Sequence, residues 1–195
     1  MMKVFSCCLF FVIVAGFTIS CNVNQSNTGS AKEISRDSLI NRGKYLVNII
    51  GCGDCHSPKK MGPHGPEPDT ALLLSGHPAQ MPLGKIDTSS LKSWVLFNMV
   101  NTAAVGPWGV SFASNITSDS TGIGAWTEEQ FFTALRTGKA KGISSNRMLL
   151  PPMPWPNFAQ MSDEDMKAMF LYLKSTQPVS NVPPQPIAPD QLGKL

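Results

Sequence analysis

The sequence is short of ligating side chains. It has five cysteines and three histidines. Cys7 and Cys8 fall inside an apolar N-terminal run, and Cys21 stands at its end, so only Cys52 and Cys55 belong to the rest of the chain. A zinc site would need more Cys or His at suitable spacing, and beyond His56 only His64 and His77 remain to supply it. No βαβ pattern flanks the two cysteines, as a thioredoxin-like pair would require. No second long apolar segment, flavin-type motif or internal repeat occurs. No interleaving of basic and aromatic residues points to nucleic acid. With 195 residues and a formal charge of +3, the chain suits one modest domain with extensions.

Met1, Met2 and Lys3 precede the run "VFSCCLFFVIVAGFTIS". One positive charge, an apolar stretch and small residues ahead of a cut describe an export signal over residues 1–20. The run is short for a membrane span, which needs about 20 apolar residues. "TISC", Thr18 to Cys21, resembles a bacterial lipobox, although Thr18 stands where leucine is commoner. That resemblance implies lipidation at Cys21, with ordinary signal cleavage and an uncleaved anchor as the alternatives. The expectation is an exported body on the periplasmic side, lipid-anchored to a membrane. The small polar residues after Cys21 would serve as a flexible linker through residue 35.

The stretch "GCGDCHSPKK", Gly51 to Lys60, carries the chemistry. Outside the cytoplasm two thiols are usually oxidised or otherwise occupied. A zinc site and a disulfide or redox pair remain open, but a simple disulfide gives no reason for His56. C-x-x-C-H is the signature of covalent c-type haem attachment. Thiols at i and i+3 share one side of a helical turn, so Cys52 and Cys55 can both reach the vinyl groups of one porphyrin. The adjoining imidazole of His56 then reaches the iron. A second acceptor should hold the other ring nitrogen of His56, and a carbonyl in the loop "GPHGPEP", such as that of Pro66, is the expected source.

What occupies the opposite face of the iron decides the chemistry. An open face admits gas or peroxide, whereas a thioether closes it and raises the reduction potential. Most methionines are core filler. Met153 stands apart because Pro151, Pro152, Pro154 and Pro156 surround it. Prolines fix φ and remove donors, so "LLPPMPWPNF" reads as a stiff, non-helical loop presenting one side chain. Met148 is the nearest competitor and Met81 a more distant one. His64 and His77 lie in polar Gly/Pro loops and read as surface residues.

Three helices are expected. In "SRDSLINRGKYLVNIIGC", Leu39, Gly43, Leu46, Val47 and Ile50 make one face and lead the chain to Cys52. "TEEQFFTALRTG" has Thr127 as N-cap, Gln130 in the capping-box position and Gly138 as its stop. "SDEDMKAMFLYLKS" starts at Ser162 with acids in its first turn. Three short helices would make a poor core alone, and a buried porphyrin would supply the missing apolar volume.

The order helix, C-x-x-C-H, long loops, Met loop and terminal helix resembles a class I cytochrome c. More narrowly it resembles the cytochrome c subunits and domains that accompany bacterial alcohol and aldehyde dehydrogenases. The matching segments are "RGKYLVNIIGCGDCHSP", "LLSGHPA", "NITSDSTGIGAWTEEQF", "LLPPMPWPNF" and "MSDEDMKAMFLYLKS", which together span roughly Arg42 to Ser175. Ser118 stands where that family usually has proline. The resemblance implies an all-α cytochrome c fold with three or more short helices, long loops and a small β-hairpin at most, over residues 36–176. It implies one covalent haem c, His56 and Met153 as axial ligands, and Gly43 packed closely on an aromatic of the last helix, Phe170 or Tyr172. Relatives often carry several haems; a single C-x-x-C-H here indicates one, and weakens the inference to a particular dehydrogenase.

"LKSWVLFNMVNTAAVGPWGVSFASN" reads as a short hairpin or extended loops around a "GPWG" turn. The four tryptophans are core packing on the plain reading. On the sharper one, Trp126, with Asn115 nearby, lines the haem and bonds a propionate. Residues 177–195 are Pro-rich and should be an extended tail. Arg136, Lys139, Lys141 and Arg147 form either a solvated loop or a positive rim that steers acidic redox partners. The expected function is an electron carrier, not an enzyme, exchanging electrons with dehydrogenases, oxidases or other cytochromes. The alternatives are an electron-input subunit of a dehydrogenase complex, a haem-based gas sensor whose Met153 leaves the iron, or a structural lipoprotein without haem.

Overall fold

The computed structural model describes residues 34–194. The expected signal peptide, Cys21 and the expected linker as far as residue 33 lie outside the described residues.

Ser35 caps the first helix, α1 (Arg36–Ile49), accepting from the Ser38 amide. It leads through Gly51, in the left-handed region at φ 78°, into the single-turn α2 (Cys52–His56). The third helix, α3 (Glu128–Thr137), has both halves of the expected Thr127/Gln130 capping box and stops at Gly138. A one-turn helix, α4 (Trp155–Phe158), follows the Met153 loop, and α5 (Asp163–Leu173) ends the helical part under a Ser162 cap. No helix among the described residues is long and apolar enough to cross a membrane.

Two small antiparallel sheets correct the all-α expectation. Strands β1 (Lys59–Gly62) and β2 (Gly65–Pro68) pair within the loop expected to be irregular. Strands β3 (Leu96–Phe97), β4 (Ala103–Gly106) and β5 (Gly109–Phe112) form a second sheet around the anticipated turn, with Gly106 opposite Gly109. Alternation over four-residue strands is too brief to register as a period, which is why pattern alone left this region between hairpin and loop.

Helices α1 and α5 cross at Gly43. A β-carbon there would collide with the Ala168 carbonyl and meet Cβ of Tyr172, so the aromatic in contact is Tyr172 and the tightest approach is backbone. The crossing is flanked by a forked ion pair, Arg42 Nε to Asp165 Oδ1 at 2.9 Å and Nη2 to Oδ2 at 3.2 Å. Leu46, Val47, Phe131, Leu135, Met166 and Met169 build the main core beneath it. A second cluster, Ala103, Val105, Val110 and Leu192, lies under the three-stranded sheet.

Leu192 belongs to the C-terminal tail, and Ile187 makes a backbone bridge to Val110. The tail is therefore bonded into the domain, and its end, Pro189–Lys194, winds into a short 3-10 helix where an extended run was expected. The Met153 loop is non-helical only as far as Pro154, because Pro156 sits in the first turn of α4, where its missing N–H breaks no helical bond. The tryptophans divide: Trp94 is 69% exposed, whereas Trp108, Trp126 and Trp155 are partly buried. His64 is exposed. His77 is fully buried, which overturns its reading as a surface residue: its Nδ1 lies 2.8 Å from Thr102 Oγ1, and its ring tilts on Phe112 with centroids 4.9 Å apart. Its Nε2 has no hydrogen-bond partner among the described residues. Polar Gly/Pro neighbours gave no sign of this, because the burial comes from strands distant in sequence.

Two outcomes follow from this packing. Helix propensity alone would make Gly43→Ala stabilising by about 1 kcal/mol; the collision with Ala168 should reverse the sign and leave a net loss of about 1–3 kcal/mol, read from the denaturant midpoint. Burial lowers the pKa of His77, so the unfolded chain binds its proton more readily. Its contribution is complete above the unfolded pKa of about 6.5 and lost as pH falls below it. Stability measured between pH 7 and pH 5 should fall more steeply in the wild type than in His77→Gln, by up to about 1.4 kcal/mol per pH unit.

Candidate functional site

The site begins where α1 hands the chain to α2. The left-handed turn at Gly51 lets a new helical turn start at Cys52, and a β-carbon at Gly51 would press on Asp54 Oδ2. Within that turn Cys52 and Cys55 stand three apart, both partly buried free thiols. Burial pushes the Cys52 thiol up to about 11, and burial with the neighbouring Asp54 also raises Cys55. Both sulfurs are thus held in the neutral thiol form.

Several carbonyls at the end of α2 are engaged by donors from outside it. Lys59 Nζ donates to Gly53 O at 3.2 Å, Asp54 O at 2.9 Å and Ser57 O at 2.6 Å. Asn101 Nδ2 adds a bond to Asp54 O at 2.8 Å, and the Gly76 amide bonds His56 O at 2.8 Å. Ser57 Oγ accepts from the Leu74 amide at 2.9 Å. A five-residue helix cannot satisfy its own end; this collar of donors does so and keeps the turn rigid.

His56 Nδ1 lies 2.7 Å from the carbonyl oxygen of Ser114. A carbonyl only accepts, so Nδ1 carries the proton and Nε2 keeps its lone pair. Burial lowers the pKa of the ring and keeps it neutral, the form that ligates a metal. The acceptor is therefore not Pro66, whose residue pairs with Met61 across β1 and β2. No local pattern could have pointed to Ser114, since it is 58 positions away.

Met153 packs, partly buried, on the same core cluster as Cys52, Trp126, Ile116 and Phe158. Its loop is anchored by the Leu149 amide on Gly138 O at 2.6 Å and by a backbone bridge between Met148 and Lys139. Met148 itself is 40% exposed, and Met81 lies far from this cluster in the fold, its sulfur 3.8 Å from Asn98 Nδ2.

Asn115 is placed close by but its amide is fully used. Nδ2 donates to Thr121 Oγ1, Val179 O and Asn181 O, and Oδ1 accepts from the amide and hydroxyl of Thr117. With that capacity consumed inside the protein, Asn115 has no donor left for a propionate; it fastens the tail instead. Trp126, like Met153, packs partly buried against the main core cluster.

These residues fit a covalently attached haem. Two neutral thiols rise from one turn, a neutral imidazole has a fixed tautomer and a thioether shares their apolar wall. Among the described residues no three His, Cys, Asp or Glu side chains converge on one point as a metal-ion cage demands.

No family model matches the chain. It is 33% identical over 143 residues, 73% of its length, to the gluconate 2-dehydrogenase cytochrome c subunit of Pantoea cypripedii, covering 24% of that protein. It is 40% identical over 164 residues, 83% of its length, to the cytochrome c subunit of the quinone alcohol dehydrogenase of Gluconacetobacter polyoxogenes, covering 27% of it. The fructose dehydrogenase cytochrome subunit of Gluconobacter japonicus is 27% identical over 164 residues. These homologues are cytochrome c subunits of bacterial dehydrogenases. The chain spans about a quarter of the length of the curated relatives it matches.

The Asn115 network carries its own test. Asn115→Ala leaves several buried groups unpaired at about 1–3 kcal/mol each. It should lower the thermal midpoint and expose residues 177–186 to protease, and Asn115→Asp, which turns a buried carboxylate oxygen onto the carbonyls of Val179 and Asn181, should be no milder.

Proposed function

We propose, proceeding from its likeness to the cytochrome c subunits of dehydrogenases, that the chain is an electron-transfer c-type cytochrome. It carries one covalent haem, attached through Cys52 and Cys55, with His56 and Met153 as axial ligands. The observation that supports this best is the His56 hydrogen bond to the Ser114 carbonyl, which leaves Nε2 as the free ligating nitrogen directly after the two thiols.

When bound, haem c supplies a one-electron iron couple. The chain's own residues govern how that couple is used. Ser114 orients the imidazole and keeps its Nδ1 proton in place. Lys59, Asn101 and Gly76 hold the turn that bears the cysteines. Met153 would offer its thioether as the second iron ligand, which would exclude external ligands and raise the potential. The core face formed by Trp126, Ile116 and Phe158 keeps water away. Little has to move for each electron, because every ligand arises from a segment bonded independently of the iron.

The redox partner on this reading is a dehydrogenase, with the chain as a carrier or electron-input subunit and not a catalyst. Residues 1–20 act as export signal and Cys21 as lipid attachment point, which would hold the domain at the periplasmic face of a membrane and raise its local concentration near such partners.

Two measurements test the assignment. Mass spectrometry of matured protein should find a single haem on the peptide bearing Cys52 and Cys55; an unmodified peptide would reject it. Met153→Ala should abolish the weak far-red ferric absorption that reports iron–thioether ligation and admit carbon monoxide to the ferrous form, while Met148→Ala keeps the band. The opposite pattern moves the ligand to Met148.

A further inference from the structure

The Met153 loop has few means of holding itself. Pro151, Pro152 and Pro154 carry no N–H, so the loop cannot build a ladder with any neighbour. It is fixed at its start by Leu149 on Gly138 and at its end by α4. Between these points one side chain bonds it among the described residues. Ser111 Oγ donates to Pro151 O at 2.6 Å and accepts from the Trp108 indole N–H at 3.3 Å.

Ser111 lies on β5, and β5 is braced from its far side. Val110 and Ile187 exchange both backbone hydrogen bonds, at 2.8 Å and 3.0 Å. Gly109 approaches the Ile187 carbonyl so closely that a side chain would collide with it. Leu192 then buries itself against Ala103, Val105 and Val110. A continuous line of contacts runs from the C-terminal tail through the hairpin to the residue two positions before Met153.

We propose that Ser111 is a positioning residue for the Met153 thioether: the tail-braced hairpin holds the loop over the iron through the Ser111–Pro151 hydrogen bond. This rests on Met153 being the axial ligand. The loop's own hydrogen bonds are the Met153 amide on Leu150 O at 3.2 Å and the Trp155 amide on Met153 O at 2.9 Å, neither of which ties it to the hairpin; Ser111 supplies the side-chain hydroxyl that does. Ser111 acts through Pro151, so its loss should shift the balance between thioether-bound and thioether-released iron without changing the haem attachment.

The test uses the full-length haem-loaded ferric protein with imidazole as a competing axial ligand. Ser111→Ala should raise imidazole affinity by about fivefold, the scale of one net hydrogen bond, and weaken the far-red band. Ser111→Thr keeps the hydroxyl and should restore both. Ile187→Pro removes the amide that donates to Val110; it should raise affinity in the wild type but add little to Ser111→Ala, since both act on one line. Wild-type affinity in Ser111→Ala, with the band lost in Met153→Ala, overturns the proposal and leaves the ligand assignment standing. A band that survives Met153→Ala overturns the assignment itself. Additive effects of Ile187→Pro and Ser111→Ala overturn the role of the tail. Should Ser111→Ala fail to accumulate, Ser111→Cys, with its weaker donor, carries the same reading, and unchanged imidazole affinity again overturns it.

Discussion

The carbonyl of Ser114 determines how the imidazole of His56 faces its neighbours. The bond at 2.7 Å assigns the proton to Nδ1 and leaves a lone pair on Nε2. It also joins the two parts of the domain. His56 ends the turn that follows α1, while Ser114 follows β5. The backbone bond from Gly76 to His56 O, and that from His77 to Ala113 O at 2.9 Å, run alongside it. Moving the hairpin would therefore rotate the ring, and a rotated ring could not serve a metal placed by Cys52 and Cys55. Everything proposed for the site depends on this one junction being stiff.

Stiffness is hard to achieve in a chain with helices of five and four residues and strands of four. Short elements leave most backbone carbonyls outside any ladder, yet each needs a donor when buried. Asn115 answers this by donating to the Val179 carbonyl of the tail, and Asn181 of the tail by donating to the carbonyls of Ser75 and His77. Asn98 accepts from the amides of both Thr102 and Ala103. The tail is consequently part of the architecture, since it contributes acceptors and donors that the 115–121 loop and β5 would otherwise lack.

What the sequence disclosed and what it hid divide along contact distance. The capping box of α3, the stop at Gly138 and the face of α1 were legible because each depends on residues within a few positions. The C-x-x-C-H turn was legible for the same reason. Resemblance supplied the closeness of Gly43 to the last helix, though its nearest neighbour proved to be the Ala168 backbone. The Ser114 acceptor, the burial of His77 and the saturation of Asn115 were hidden, because their partners lie tens of residues away. The β1–β2 pair was hidden by its prolines, which suggested irregular loop; Pro66 and Pro68 lie on the second strand of an isolated pair, where a missing amide costs little.

The basic residues before the Met loop show the same economy of donors, and that changes what their charge can do. A steering rim needs net positive charge whose field reaches an approaching partner. Arg136 instead donates to the Ala159 carbonyl and pairs with Asp163 at 2.5 Å, which cancels its charge at short range. Lys139 Nζ is turned onto Asn146 O at 3.3 Å, and Arg147 Nη1 onto Met148 O at 2.8 Å. Lys59 and Lys174 do likewise elsewhere, the latter on the Gly124 carbonyl. A cation bonded to a carbonyl still carries its charge, but it is fixed in place and partly desolvated. In this protein such cations act first as caps for loops that have run out of amide donors. Of the four in the cluster, Lys141 is the one whose ammonium has no such bond among the described residues, and with Arg136 paired to Asp163 the field of this loop comes from Lys139, Lys141 and Arg147.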